Sequence, residues 1–280
     1  LNRLIKIYFS YLLKYIFSIK PRWGVAYKFT KNWDDVVLWK SSIIKNPPNR
    51  FLADPFPWYY KGKHYCFVED FCFKENKACI SVYEVNKDGY AELGTALKED
   101  FHLSYPFLFE YKNNLYMCPE SNENKDIRLY KCVEFPLKWE LEIILMEDVE
   151  ASDTNIFYKD NKWWMLTNID SSKSGQCDSE LHIFWSDRLL GNKWYPHKLN
   201  PVIFNSKRGR NGGLLFKNND IYRVFQSAGF YFYGQSFGVA KIIEISESKF
   251  IEEVDFEVKP NFFKDIKGTH TYNFKNGLMV

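Results

Sequence analysis

The chain has 280 residues, of which 46% are hydrophobic and 19% are aromatic, and its formal net charge is +3. A charge this close to balance argues against nucleic acid as a main partner. The excess of Tyr, Phe and Trp favours strands over helices. The length fits one or two domains, and single-domain all-β propellers and barrels commonly reach it.

Residues 1–22 differ from the rest of the chain because they are basic and apolar together. Their apolar positions recur at steps of three and four, which predicts a short basic amphipathic helix. Lys6 and Lys14 interrupt the apolar run, so it is too short to span a bilayer. No small-residue cleavage site follows it, as a signal peptide would require. Two interpretations stay open: an interfacial anchor on an anionic membrane surface, or a helix docked on the protein's own flank or on a second copy.

Five similar segments follow at intervals of about 50 to 60 residues, close to the repeat length of a β-propeller. In the first four segments a Gly or Asn comes eight residues after the opening residue, and a strand aromatic follows it three residues later. That pattern is typical of a tight turn that leads into the return strand of a hairpin. We therefore predict an all-β, five-bladed β-propeller whose blades start near residues 53, 104, 152, 210 and 269. The opening residues are Asp54, Tyr105, Asp153, Asn211 and His270.

The fifth segment is too short to form a complete blade, because only one hairpin fits between His270 and Val280. Strand-like stretches are available at residues 23–29 and 36–40. We expect residues 23–40 to complete the last blade, so that the propeller domain covers residues 23–280. Closure of this kind also removes an exposed sheet edge.

Each hairpin is predicted to pair its opening residue with the residue fifteen positions later. Because the first strand of a propeller blade lines the central axis, these pairs should converge at one end of the channel. They would form the floor of a binding site. The alternative for each pair is that a polar strand end meets solvent or neighbouring backbone. The pairs are Asp54 with Glu69, Tyr105 with Glu120, Asp153 with Asn168, and Asn211 with Gln226.

Two carboxylates that face each other across a pocket are the minimum for glycoside chemistry. Asp54 is the candidate base or nucleophile, since Pro55 after it removes a competing backbone donor. Glu120 lies behind an aromatic strand, where burial would raise its pKa toward general-acid function. Asp153 would hold a sugar hydroxyl or tune its neighbours. Any of these carboxylates could instead bond to backbone amides of the next blade.

A basic loop punctuated by glycines carries Arg208 and Arg210 just before Asn211. Guanidinium groups bind phosphate or carboxylate bidentately, so the loop suits an anionic ligand, although it could also be simply solvated. His270 would bond to sugar or a buried ion, or to neighbouring carbonyls. Trp58 and Tyr233 are candidates for stacking on sugar rings. The predicted substrate-binding set is Glu69, Tyr105, Asn168, Arg208, Arg210, Asn211, Gln226 and His270.

The six cysteines form no CxxC pair, which favours reduced thiols in a cytoplasmic protein. The five histidines stand at no zinc-ligand spacing with them. The sequence therefore predicts no cofactor and no metal in the site, and it leaves open a structural ion on the propeller axis. We expect a cytoplasmic location, with peripheral attachment to the inner membrane if residues 1–22 bind lipid.

Asp54-Pro55, Asp153 and His270 resemble the five-bladed superfamily of furanose-active glycosidases, which includes arabinanases, β-xylosidases and invertase relatives. Four phrases carry a closer resemblance, to the N-terminal propeller domain of plant glucosamine inositolphosphorylceramide transferases and its free-standing bacterial relatives. That likeness spans residues 23–280, and it implies a sugar-related task, in bacteria in surface polysaccharide or glycolipid assembly. The phrases are Phe51–Phe56, His102–Phe107, Pro119-Glu120 and Gly268–Thr271.

One departure from the glycosidase superfamily affects the mechanism. Those enzymes usually place a carboxylate on the first, third and fourth inner strands, and the fourth is the general acid. Asn211 stands at the fourth position here, so hydrolase chemistry would require Glu120 as the acid. Our first hypothesis is an enzyme of glycosyl transfer or cleavage acting on a glycan, a sugar phosphate, or a lipid- or nucleotide-linked sugar. The alternatives are a non-catalytic glycan-binding or scaffolding module and a structural propeller whose rim binds protein.

Overall fold

The computed structural model describes residues 22–173, 175–229 and 233–280, which form an all-β, five-bladed propeller. The helix predicted over residues 1–22 lies outside these ranges except for Arg22. Within the same ranges, no helix has the length and apolar character needed to cross a lipid bilayer. All six cysteines are free thiols.

The strands follow the repeats seen in the sequence, with short 3-10 turns at Leu38–Lys40 and Asn122–Asn124. In chain order the strands are β1 Val25–Phe29, β2 Ser42–Ile44, β3 Arg50–Tyr60, β4 Lys63–Cys72, β5 Lys77–Val85, β6 Tyr90–Leu97, β7 Ser104–Tyr111, β8 Asn114–Glu120, β9 Asp126–Glu134, β10 Lys138–Glu147, β11 Ala151–Lys159, β12 Lys162–Ile169, β13 Glu180–Ser186, β14 Tyr195–Pro196, β15 Ile203–Phe204, β16 Asn211–Lys217, β17 Asp220–Ser227, β18 Ser236–Ile245, β19 Phe250–Val258, β20 Phe274–Lys275 and β21 Leu278–Met279.

Four blades are antiparallel meanders of consecutive strands. Blade one contains β3–β6, blade two β7–β10 and blade four β16–β19. Blade three contains β11–β14, and β15 also pairs with β13. The turns between the first two strands of blades two, three and four use residues with positive φ, such as Asn113 at 59° and Asn161 at 61°. Asn tolerates this left-handed conformation, which is why its recurrence located the hairpins.

Blade five joins the two ends of the described chain. Its strand order is β2-β1-β21-β20, and Phe29 pairs with Leu278. Closure of the propeller by an N-terminal strand is confirmed. The prediction of a second closing strand at residues 36–40 is wrong. That stretch contains the 3-10 turn, which buries Leu38 in a cluster with Trp33, and the strand comes later, as β2. The short 3-10 turn buries one apolar side chain, whereas a strand would place every second side chain on the buried face.

Aromatic side chains pack the blades against one another. Phe56 of blade one meets Tyr105 of blade two edge to face, with ring centroids 4.8 Å apart, and Phe67 meets Trp139 at 5.8 Å. Such pairs contribute about 0.5–1.5 kcal/mol each beyond the burial of their area. The large hydrophobic cluster runs through blades one to four, and this rigid packing holds the inner strands around the axis.

Candidate functional site

The predicted hairpin register holds near each turn and is wrong at the open end. Phe56 pairs with Phe67, as the turn position requires, but Glu69 pairs with Ala53 instead of Asp54. A β-bulge at the opening residue causes the shift. The corresponding pairs in blades two and three are Ser104 with Glu120 and Ser152 with Asn168, and in blade four Asn211 pairs with Phe225. The four opening residues are therefore not the direct cross-strand partners that the sequence predicted.

The bulge has the same backbone conformation in three blades. Asp54, Tyr105 and Asp153 have φ values of 45°, 46° and 49°, which lie in the left-handed region. This conformation is strained for residues other than glycine, and such strain is often retained at functional sites. A bulge re-aims the side chain of the extra residue. Here it lets the opening side chains of neighbouring blades reach one another instead of following the alternation of a strand.

Asp54 is buried and shares a hydrogen bond with His270 of blade five, with 2.8 Å between Oδ1 and Nε2. Burial alone would raise the pKa of Asp54. The hydrogen bond and charge of His270, together with the charge of Arg210, outweigh burial and hold that pKa below its usual value. Asp54 is therefore an ionised carboxylate at neutral pH. The other ring nitrogen of His270, Nδ1, is buried and has no partner among the described residues.

Glu69 lies beside Asp54. Burial, together with the charges of Asp54 and Glu120, raises the pKa of Glu69 well above its usual value. The side chains of Glu69 and Asp54 share a hydrogen bond. The Nε2 atom of His102 is 3.5 Å from Oε1 of Glu69. The Nδ1 atom of His102 accepts the Ala78 backbone N–H at 3.2 Å, so the proton of the neutral ring resides on Nε2. Burial also lowers the pKa of His102.

Arg210 connects the other two carboxyl groups. Its Nε atom donates to Oδ2 of Asp153 at 2.6 Å, and its Nη2 atom is 3.7 Å from Oε2 of Glu120. Glu120 Oε2 also accepts the backbone N–H of Asp153 at 3.2 Å. Burial, and next the charge of Asp153, raises the pKa of Glu120 to about 8, although Arg210 acts in the opposite direction. Glu120 is therefore mostly protonated at neutral pH.

Burial likewise raises the pKa of Asp153, while Arg210 opposes the shift. Gln226 adds a hydrogen bond to this carboxylate, with 2.9 Å between its Nε2 atom and Oδ2. The side chain of Asp153 is only 2% exposed, whereas that of Glu120 is 14% exposed. Of these two carboxyl groups, Glu120 is therefore the more accessible to solvent.

The three amide residues of the predicted set form a buried network between blades three and four. Asn211 Nδ2 donates to the Asp153 carbonyl at 2.8 Å, and the Asn211 backbone N–H donates to Asn168 Oδ1 at 2.8 Å. Gln226 Nε2 also donates to the Asn211 carbonyl at 2.6 Å. These amides therefore hold backbone beside the carboxyl cluster, which is the alternative that the sequence left open. Tyr105, fully buried, donates its hydroxyl to Asn155 Oδ1 at 3.0 Å.

Arg208 does not reach this cluster. Its guanidinium binds Glu252 of β19 at 2.9 Å, and the buried Arg223 binds the same carboxylate at 2.7 Å. Trp58 is also remote from solvent, because it is 6% exposed in the blade core with Lys275 Nζ 4.4 Å from its ring. Neither side chain lies where the sequence expected ligand contact.

Aromatic rings border the Asp54–His270 pair. The Trp23 ring lies 4.1 Å from the His270 ring, centroid to centroid, and the Tyr233 ring lies 5.4 Å from it. The Arg210 guanidinium is 4.5 Å from the Tyr233 ring, and Tyr233 is 40% exposed. The sequence predicted Tyr233 but missed Trp23 and His102. Trp23 stands just before β1, where only the closure of blade five brings it to the axis, and His102 carries no local signal beyond its place before the blade-two opening.

No three His, Cys, Asp or Glu side chains within the described ranges are grouped closely enough to hold a metal ion. Within the cluster, Asp54 is hydrogen-bonded to His270 and Asp153 forms an ion pair with Arg210. The fold and site together define a five-bladed propeller with a buried cluster of carboxyl groups at one end of its axis, in which Glu120 is mostly protonated at neutral pH.

Comparison with known proteins then gives the family. The family model described as Glucosamine inositolphosphorylceramide transferase 1, N-terminal, matches residues 29–277, so the chain belongs to this family. The chain is 35% identical over 233 residues to the glucosamine inositolphosphorylceramide transferase 1 of Arabidopsis thaliana. That match covers 81% of this chain and 29% of the relative, so the chain spans less than a third of that plant protein. A plant relative gives no support to the bacterial origin that the resemblance implied.

Solved structures show the same fold at low identity. The exo-β-1,3-galactanase 1,3Gal43A from Clostridium thermocellum is similar with a TM-score of 0.59 and 12% identity, over 81% of this chain and 54% of that chain. Zg3597, a family 117 glycoside hydrolase from Zobellia galactanivorans, is similar with a TM-score of 0.57 and 13% identity, over 83% and 75% of the two chains. The expected likeness to glycosidase propellers is therefore confirmed for the fold.

Proposed function

We propose that the axial pocket binds a carbohydrate and catalyses glycosyl transfer or cleavage, with Glu120 as general acid and Asp54 as base or nucleophile. The observation that carries this proposal is the opposite displacement of two pKa values in one buried cluster: Asp54 is held ionised and Glu120 is held protonated. A divergent pair of this kind assigns acid and base roles. Membership of a family named for a sugar transferase supports a place in glycolipid or surface-polysaccharide assembly.

In the proposed reaction Glu120 donates its proton to the oxygen of the leaving group as the glycosidic bond breaks. Asp54 either accepts the proton of the attacking hydroxyl or attacks the anomeric carbon itself. The carboxylate that forms on Glu120 lies 3.7 Å from Arg210 Nη2, so its negative charge has a cation beside it. His270 keeps Asp54 ionised before the reaction begins.

The test uses the full chain with Asp54→Asn and Glu120→Gln. Turnover of a panel of nitrophenyl glycosides and nucleotide-linked sugars is expected to fall at least about 100-fold in each variant. Asp255→Asn and Glu140→Gln are matched controls, because both residues are exposed on outer strands. Turnover retained by both Asp54→Asn and Glu120→Gln would refute the assignment.

Two observations favour a second candidate, a glycan-binding module without turnover. The fourth inner strand offers Asn211 in place of a carboxylate, and Arg210 binds Asp153 and lies close to Glu120. This candidate predicts that calorimetry detects sugar binding while no product forms. Asp54→Asn would then weaken binding without any rate to lose.

A further inference from the structure

A second concave site lies at the other end of the hairpins. A groove of about 460 Å³ opens between β7–β10 of blade two and the loop that follows β13 of blade three. The turn residue Lys112 borders this groove, whereas Tyr105, near the start of β7, belongs to the axial cluster. An antiparallel strand rises about 3.4 Å per residue, so the two sites are separated by roughly 20 Å. The groove is therefore independent of the axial pocket.

The groove is lined by more cations than carboxylates. Lys112, Lys131 and Arg188 line it, together with a single acidic residue, Glu142. None of the three cations forms an ion pair with any residue that the structure describes. Lys131 lacks an ion pair even though Glu140 stands directly opposite it on β10.

The strand position of Lys131, opposite Tyr116, is occupied by Lys241 in blade four and by Glu84 in blade one. Each of these is paired with an opposite charge at the start of the second strand: Lys241 binds Asp220 at 2.6 Å, and Glu84 binds Lys63 at 2.9 Å. Blade two has the uncharged Asn114 at that point. Blade two therefore keeps positive charge where blades one and four cancel it. Unpaired cations in a concave surface attract a negatively charged ligand.

Apart from Asn114, the remaining wall of the groove is aromatic and aliphatic. The Tyr111 ring is braced edge to face by Trp163 at 5.1 Å, and the buried Tyr116 ring stacks on Phe109 at 5.9 Å. Leu190 lines the blade-three side and is 38% exposed. A rigid aromatic and aliphatic wall suits the apolar face of a ring, and the volume lies within the usual range for small-molecule sites, about 300–1,000 Å³.

We propose that this groove binds a soluble phosphorylated sugar. The sugar ring lies on Tyr111 and Leu190, and the phosphate is held between Lys131 and Arg188. A guanidinium binds phosphate in a bidentate geometry and an ammonium acts as a point charge, so the two side chains complement each other.

The test is calorimetric titration of the full chain with glucose 6-phosphate, glucose and inorganic phosphate. Glucose 6-phosphate is expected to bind best, and Lys131→Gln and Arg188→Gln are each expected to weaken its affinity about tenfold, as loss of a charge-assisted hydrogen bond does. Lys61→Gln is the matched control. At the turn of blade one, Lys61 Nζ lies 5.2 Å from the Tyr60 ring. Lys112 has the same arrangement at the turn of blade two, with its Nζ 5.2 Å from the Tyr111 ring. Lys61, however, does not line the groove.

Three results would overturn the proposal. Affinity unchanged in both Lys131→Gln and Arg188→Gln would remove the site, and equal affinity for inorganic phosphate would remove the sugar. Binding to phosphatidylglycerol vesicles that depends on the same two residues, without affinity for glucose 6-phosphate, would assign the phosphate to a lipid. Asp54→Asn serves as a cross-check, because it is expected to leave glucose 6-phosphate affinity unchanged even where axial turnover is lost.

Discussion

Replacing Glu120 by Gln is expected to stabilise the protein at alkaline pH while removing its proposed acid. Burial raises the pKa of Glu120 from 4.5 to about 8. Between these two values the folded chain retains a proton that the unfolded chain has released. Stability therefore falls as pH rises through this window, by about 1.36 kcal/mol for each pH unit.

The shift sets a ceiling of about 5 kcal/mol on this penalty at pH 8. Gln avoids the penalty because it does not ionise, but it loses the attraction of a carboxylate to Arg210. We therefore expect Glu120→Gln to be more stable than the parent by about 1–3 kcal/mol at pH 8, with little difference at pH 5. The raised pKa of Glu69 has the same sign, and because the charge of Glu120 is part of its cause, Glu120→Gln also relieves some of the Glu69 shift and adds to the difference in the same direction.

The assay is urea unfolding followed by tryptophan fluorescence at pH 5, 6, 7 and 8. Glu140→Gln, on the exposed face of β10, controls for loss of a carboxyl group. If the free energies of unfolding of the parent and Glu120→Gln run parallel across this range, Glu120 does not retain a proton in the folded state. That result would refute the proposed role of Glu120 as general acid.

His270→Gln removes the partner that keeps Asp54 ionised. Burial then dominates and raises the pKa of Asp54, so the acidic limb of the pH–rate profile should move to higher pH. An acidic limb that does not move would contradict the pairing of Asp54 with His270. Gly213→Ala should lower the free energy of unfolding by at least about 2 kcal/mol, because such backbone strain and steric conflict are costly. Its φ is +148°, and an added Cβ would lie 2.5 Å from the Tyr272 carbonyl oxygen of blade five. Gly24→Ala, where nothing lies within 4 Å, is the control, and equal urea midpoints for the two variants would refute this packing argument.

The blade architecture was predictable because its signals are local. Asn and Gly at the tight turns occupy left-handed conformations that few other residues tolerate, and their recurrence revealed the hairpins without any knowledge of long-range contacts. The sequence segments that resemble the transferase family predicted the same fold independently, and the match to the family model confirms that resemblance.

The closing segment was harder to predict. Residues 36–40 have the composition of a strand, but the burial of Leu38 beside Trp33 selects a 3-10 turn. Long-range packing decides that competition, and propensity alone does not reveal it. Strand β2 follows this turn and pairs with β1 through only three residues.

The sequence by itself determined the number of blades, the positions of their turns and the set of polar residues that open each one. These features depend on the conformational limits of single residues and on repetition, so they can be read from the order of amino acids. Only the tertiary structure decided which polar groups meet. The bulges at Asp54, Tyr105 and Asp153 shift the register by one residue, and blade closure places His270 against Asp54. Charge and burial then separate the pKa values of chemically similar carboxyl groups, because those effects depend on distances between residues that lie far apart in the chain.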